Sequence, residues 1–458
     1  MIEIIVSIFV AAIVALVVRR YRNVFCLPFF WAAFFVCQYA GLLRIHAEFG
    51  GNSYAYAAVA FGAFYAGLLA ADFLISYRSG KSGKTEDRKD NRTPPEPNSK
   101  PGKPPQGTRI KLLFPVLPLN VGLFLSLLAA TFVTCVFFSE RGIPILSSFP
   151  ALGWVTSTSG IVNRLMTVFG PGCYASLALV GWAVHRQTGS RGAKGMMYMG
   201  LGLAILADAL LASKAAAIMV FIWFNILLFY MNKKRNFWKS LLPLIVIVVP
   251  VSAAIVAVRQ VSVHGHWQAQ EIYQIYSDRL TTEASAPVDF IFKYMNRFGP
   301  MRGGAFHREV ERIEDQVRGR PKTPLLSEYI FDLMVDQSTN ATGLSAGLML
   351  YGTGYAEWGL AGLLLYSLLQ GMIFGWVHRY LLRQETMNIV MLIFWGAILS
   401  YLMSVSGTGT ILVTLESLFL AAVPPLVLLL PLCFFFLLPV ARRHRASLGR
   451  RVSRVPQT

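Results

Sequence analysis

The chain is predicted to be an all-α polytopic membrane protein with about eleven transmembrane helices, ten to twelve, and one large loop domain outside the bilayer. Three observations carry this prediction. Hydrophobic residues make up 55% of the chain and charged residues 14%, with a mean hydropathy of +0.52, too apolar for an ordinary soluble globule. The apolar residues fall in continuous blocks of membrane-spanning length, whereas a β-barrel would show alternating segments of about ten residues. Residues 259–340, by contrast, gather 11 of the 23 acidic residues and 3 of the 7 histidines.

Residues 1–75 hold the first spans, at 4–18, 24–43 and 54–75. The first is short, and Glu3 stands where a signal peptide would carry positive charge, so it is expected to be retained. Residues 76–111 form a proline-rich basic linker with no aromatic after Tyr77, the composition of a solvated tether. Central spans are expected within 112–258, at 112–137, 165–184, 195–213, 215–231 and 239–258. After the loop 259–340, residues 341–440 return through spans at 356–377, 388–404 and 411–440, the last interrupted by Pro424, Pro425 and Pro431. A basic tail, 441–458, closes the chain.

Threaded through eleven spans, the basic segments 19–22, 76–111, 185–194, 232–239, 378–383 and 441–445 fall on one side. That side is expected to be cytoplasmic, with the N-terminus outside and the C-terminus inside. The net charge of +19 is then accounted for by surfaces facing anionic lipid and calls for no nucleic acid. Cys26, Cys37, Cys135, Cys173 and Cys433 all lie in apolar spans, without disulfide or metal spacing.

Candidate functional residues concentrate outside the membrane and at the span ends. Arg259 precedes "QVSVHGHW", with His264 and His266 two apart; H-x-H matches none of the strong zinc signatures, which leaves a hydrogen-bonding or a direct substrate role. Arg297 and Arg302 come next, and a planar cation with five donors is a natural grip for a diphosphate. His307 beside them is a candidate base. A short helix is expected after Gly303 and Gly304, and its mixed charges from Glu309 to Asp315 suggest a solvated face. Arg141, Arg164 and Lys214 would join the same membrane face and suit an anionic headgroup. Asp208, within a span, is either a site residue or the structural partner of Lys214. In "GYAEWGLAG", Glu357 is embedded in a span, and Tyr351, Tyr355 and Trp358 are candidates for a sugar platform or for an aromatic belt. The glycines of this stretch permit either close helix approach or a broken helix.

"RGIPILSS" at 141–148, "ASK" at 212–214 and "GYAEWGLAGLLLYSLLQGMIFG" at 354–375, with a large loop between late spans, resemble the bacterial O-antigen or oligosaccharide repeat unit polymerases of the Wzy type. The resemblance implies a bacterial inner-membrane enzyme with a periplasmic catalytic loop, here 259–340. Its substrates would be an undecaprenyl-diphosphate-linked oligosaccharide donor and acceptor, joined without metal or other cofactor. A chain-length regulator and a flippase in the same membrane are the implied partners. Arg308 and Gly319 satisfy the R-x10-G signature of some members, while the mid-chain loop 138–164 is shorter than the second loop some members carry.

On that implication, Arg259, Arg297 and Arg302 would hold the leaving diphosphate and His307, or His264, would take the proton of the attacking hydroxyl. Lys214 or Arg164 would hold the second lipid headgroup. The alternatives are an O-antigen ligase, another lipid-linked glycosyltransferase, or a transporter of polysaccharide or lipid-linked sugar, which predicts inverted repeats and discontinuous helices.

Overall fold

The computed structural model describes residues 2–86, 108–112, 114–146, 165–166, 168–211, 214–233, 237–265, 268, 270, 273–274, 284–335, 347–412, 414–415, 418–419 and 422–435. In chain order these form α1 (Ile2–Tyr21), α2 (Leu27–Phe49), α3 (Ser53–Glu86), β1 (Arg109–Lys111), α4 (Val116–Arg141), α5 (Pro171–Thr188), α6 (Arg191–Leu210) and α7 (Lys214–Asn232). Then come α8 (Phe237–Pro243), α9 (Val249–His264), α10 (Ala284–Phe298), α11 (Gly304–Arg318), α12 (Leu326–Val335), α13 (Met349–Arg383), β2 (Thr386–Asn388) and α14 (Ile389–Thr408). The only strands among the described residues are β1 and β2, a parallel pair of three residues each.

The expected count of about eleven spans is corrected. Among the described residues seven helices are long and apolar enough to cross a membrane: α1, α2, Ser53–Ile75 of α3, the segment beginning with α4, α6, α13 and α14. This is the pattern of a multi-pass membrane protein. Within three further expected spans, the described residues include the shorter apolar helical stretches Met219–Asn232, Ile245–Val258 and Ala422–Phe435. The second begins inside a π-turn at Leu244–Val248, directly after Pro243, so a block continuous in hydropathy is not one regular α-helix. Around the expected 165–184 span, α5 forms, 18 residues long but not among those apolar enough. Much of the large loop, in turn, is helical: α10, α11 and α12 are short and amphipathic. The eleven-span threading that set the N- and C-terminal sides no longer holds. Helix α3 continues beyond residue 75 to Glu86.

The chain folds as two compact units. One comprises residues 1–108, 225–385 and 401–415; the other comprises 109–224, 386–400 and 416–458. In the second unit, α5 lies along α6 with Gly181 and Gly200 at the crossing, and Tyr174 shares a hydrogen bond with Thr134 of α4 at 2.9 Å.

The first unit is organised by α3 and α13. A methyl group added at Gly67 would collide with the Leu368 carbonyl, and one at Gly371 with the Phe64 carbonyl. Gly371 and Gly375 are four apart on one face of α13, so small residues let the two backbones touch where lipid offers no hydrophobic force to join helices. Phe35, Phe61, Phe64, Phe374 and Tyr351 fill the space beside this crossing.

The two ends of this unit differ. At one end Asp72 of α3 accepts hydrogen bonds from both Arg20 of α1 and Arg379 of α13, while Tyr230 bonds His378 at 2.9 Å and accepts from the Leu27 amide at 3.2 Å. At the other end α10 meets the start of α3, where the Ser53 hydroxyl donates to Asp289 at 2.6 Å and Lys293 pairs with the same carboxylate at 2.9 Å.

Candidate functional site

Among the described residues, sequence candidates converge at the second end. It is built on a break in α13. Trp358 and Gly359 leave helical geometry, and Gly359 sits at φ 61°, ψ −142°, a conformation essentially confined to glycine. The carbonyl of Gly354 lies against Gly362, eight residues on, where a straight helix would separate them by about 12 Å. The helix therefore bends sharply, leaving a short piece from Met349 to Glu357 ahead of the long one. The glycine-rich sequence thus does both things it allowed, a broken turn at 354–362 and close packing at 371–375.

The broken end of the short piece would leave its carbonyls without helical partners. The turn between α10 and α11 supplies them. Met301 N–H donates to the Ala356 carbonyl at 2.7 Å and Arg302 N–H to the Glu357 carbonyl at 2.8 Å. The Glu357 side chain, 1% exposed, answers in the other direction: its carboxylate accepts from the amides of Gly303 and Phe306, the latter at 2.7 Å. It thereby caps the N-terminus of α11 from another element, a charge-assisted arrangement that also favours the positive end of that helix. Three consecutive amides, 301 to 303, are fixed this way, and they hold Arg302 at φ 51°, a left-handed conformation an arginine rarely adopts.

Arg302 and Arg297 are exposed, and Arg297 lies over the Phe298 ring at 5.3 Å. His307, one turn into α11, pairs through Nε2 with Glu311 at 3.0 Å, the two side chains 71% and 43% exposed. The rest of α11 is tied down. Glu309, buried, accepts from the amides of Ile411 at 3.1 Å and Leu412 at 2.6 Å. Arg312 pairs with Glu328 at 2.6 Å. Asp315 accepts from the amide and hydroxyl of Thr323, and these bonds hold its carboxyl below the usual carboxylate range. Arg308 stacks on Tyr329 at 4.6 Å, and Gly319 closes α11 at φ 65°, so the R-x10-G match coincides with a helix and its left-handed cap.

The sequence candidates therefore divide. Arg297, Arg302, His307, Glu357, Tyr355 and Trp358 meet around the α10–α11 turn and the α13 break. Tyr355 is buried among Tyr56 and Phe292 and donates to Asn296, and Trp358 is exposed with its edge toward Tyr366. Tyr351 is fully buried between Phe35 and Phe292, a core position with no face to offer a sugar. Arg259 and His264 lie on α9, Lys214 opens α7 and Arg141 closes α4; their side chains fall outside the described residues, as do Arg164 and His266 altogether. Asp208 is buried in α6 with one carboxylate oxygen lacking a hydrogen-bond partner among the described residues.

Two residues were missed. The charged run from Glu309 to Asp315 suggested a solvated face, yet Glu309 is an interior cap and Asp315 a loop anchor; nothing in their spacing distinguishes them from Glu311 and Glu314. Among the described residues no group of three or more His, Cys, Asp and Glu comes together as a metal site would require. Comparison with protein-family models, with curated proteins and with solved structures finds no match.

Proposed function

We propose that the chain is a lipid-linked glycan polymerase, extending undecaprenyl-diphosphate-linked oligosaccharide repeats at the outer face of a bacterial inner membrane. The observation that carries this is the pair of exposed arginines, Arg297 and Arg302, and the His307–Glu311 pair, on or flanking a turn that is stitched by backbone hydrogen bonds to a broken membrane helix. Such a site meets its substrate at the membrane surface, where a lipid diphosphate carries its charge. Arg297 and Arg302 would neutralise the departing diphosphate, and Glu311, accepting from Nε2–H, would orient His307 so that Nδ1 takes the proton of the attacking hydroxyl. Arg259 remains a candidate for the leaving diphosphate, and Lys214 or Arg164 for the second headgroup. The outer-face assignment is supported by the basic residues Arg19, Arg20, Arg22, Arg379 and Arg383 lying toward the end of the first unit away from this turn.

A second reading, transport of a lipid-linked sugar, is favoured by the break in α13, since discontinuous helices are how transporters build mid-membrane sites. One experiment separates the two. The purified chain in nanodiscs is incubated with lipid-diphosphate-linked oligosaccharide from its own host, and the products are resolved by gel. A ladder of repeat multiples supports the polymerase. A single transfer seen only with a lipid A-core acceptor indicates a ligase, and movement of intact substrate across proteoliposomes without new bonds indicates transport.

A further inference from the structure

We infer that α11 is an in-plane membrane helix, its apolar stripe seated in the lipid interface of the same leaflet that the α13 break faces. The inference is independent of the catalytic proposal. Phe306, Val310, Ile313 and Val317 recur at helical spacing and fall within an arc of about 60° on α11. Each is large, apolar and between 40% and 81% exposed. The stripe runs about 16 Å along the helix.

On one side of this stripe lie Ala305 and Glu309, the buried face that docks on the rest of the unit. On the other lie His307, Glu311, Glu314 and Arg318, paired with one another as solvated charges. The apolar strip thus separates a docked edge from a charged one, the cross-section of a helix lying in an interface.

What holds α11 indicates what covers the stripe. Its first turn is bonded to Glu357, next to Trp358 and Leu360, themselves large exposed apolar side chains at the head of a membrane-length helix. One turn later, Glu309 holds the amides of Ile411 and Leu412, just beyond the end of α14, another membrane-length helix. Both anchors are thus at ends of membrane segments, and the stripe continues their apolar surface. It is also small: roughly 300–400 Å² across four side chains, against about 800 Å² per partner in a stable protein interface. A bilayer needs no such minimum.

The test places a spin label, one position at a time, at Val310, Ile313, Val317, Glu314 and Arg318 in the full chain with its five cysteines replaced, reconstituted in nanodiscs. Collision with oxygen and with a water-soluble nickel chelate is then measured. At Val310, Ile313 and Val317 the oxygen-to-nickel ratio is expected to exceed that at Glu314 and Arg318 by about fivefold, as for side chains seated some 5–10 Å into the interface. Equal access of nickel to all five positions would overturn the inference in favour of a solvated helix. Exclusion of both reagents at the stripe would overturn it in favour of a protein cover, whether another segment, a second copy or a partner. A parallel measurement needs no substitution: the native chain in nanodiscs containing lipids with a diazirine on the acyl chain should acquire adducts on the peptide spanning 305–318 after irradiation, and absence of adducts there, with adducts present on α1, would also contradict it.

Discussion

In the first unit, Asp72 at one end and Glu357 at the α10–α11 turn are held in opposite ways. Asp72 is neutralised by side chains: Arg20 and Arg379 both close on it, so those two arginines are engaged. Glu357 and Glu309 are held by backbone: each accepts two main-chain amides. The arrangement at the second end satisfies the acids without using Arg297 or Arg302. Guanidinium groups that are locked to an internal carboxylate hold helices together, whereas those left exposed beside amide-capped acids are available to an anion from outside. The proposed function builds on that difference, with Arg20 and Arg379 structural and Arg297 and Arg302 binding the ligand.

The comparison is broken most severely through the proposed base. His307→Ala should lower the transfer rate by about 10²–10⁴-fold, read from band intensities of the product ladder, with little change in unfolding temperature because the ring is exposed. Glu311→Gln should lower it about tenfold and shift the pH profile, since Glu311 acts by orienting the ring. Equal losses from His378→Ala would remove the distinction between the ends.

Next in size is the amide cap. Glu357→Ala strips a charged acceptor from two amides and should cost about 3 kcal/mol of stability, with Glu357→Gln costing less because one acceptor oxygen remains. Thermal unfolding in detergent checks both. The side-chain cluster should be more forgiving. Asp72→Asn should cost about 1–2 kcal/mol, because Arg20 and Arg379 are 34% and 40% exposed and can turn to water. If Asp72→Asn proves the costlier, the amide-capped end is not the more tightly specified.

The smallest effect concerns pH. The Asp315 carboxyl, held below its ordinary value by the Thr323 hydroxyl and amide, contributes stability above the usual carboxylate range and loses it as pH falls through its depressed value. Hydrogen exchange at the Thr323 amide should therefore be protected at pH 5–7 and released only under strong acid; Asp315→Asn should remove that dependence.

Much of this was legible in the sequence, but unevenly. The membrane class followed from blocks such as Ile4–Val18, because apolar length needs no tertiary context. The span count did not: the π-turn at Leu244–Val248 interrupts a block that hydropathy reads as continuous. Arg297, Arg302 and His307 stood out as cations and a base in one loop, and the glycines of 354–375 announced either a break or a close contact. What the sequence hid was the pairing across distance. Glu357 reaches amides more than fifty residues earlier, and Glu309 reaches amides about a hundred residues later. Such partners leave no local periodicity, so a buried cap and a solvated glutamate read alike.

The most direct measurement compares two arginines in the transfer assay. Arg302→Ala and Arg379→Ala proteins, each in nanodiscs with the lipid-linked oligosaccharide, are followed for ladder formation and for thermal unfolding. The ladder should be lost in Arg302→Ala with the unfolding temperature unchanged, whereas Arg379→Ala should keep the ladder and unfold earlier. A ladder that survives in Arg302→Ala, or that disappears only with Arg379→Ala, would contradict the assignment of the site to the α10–α11 turn.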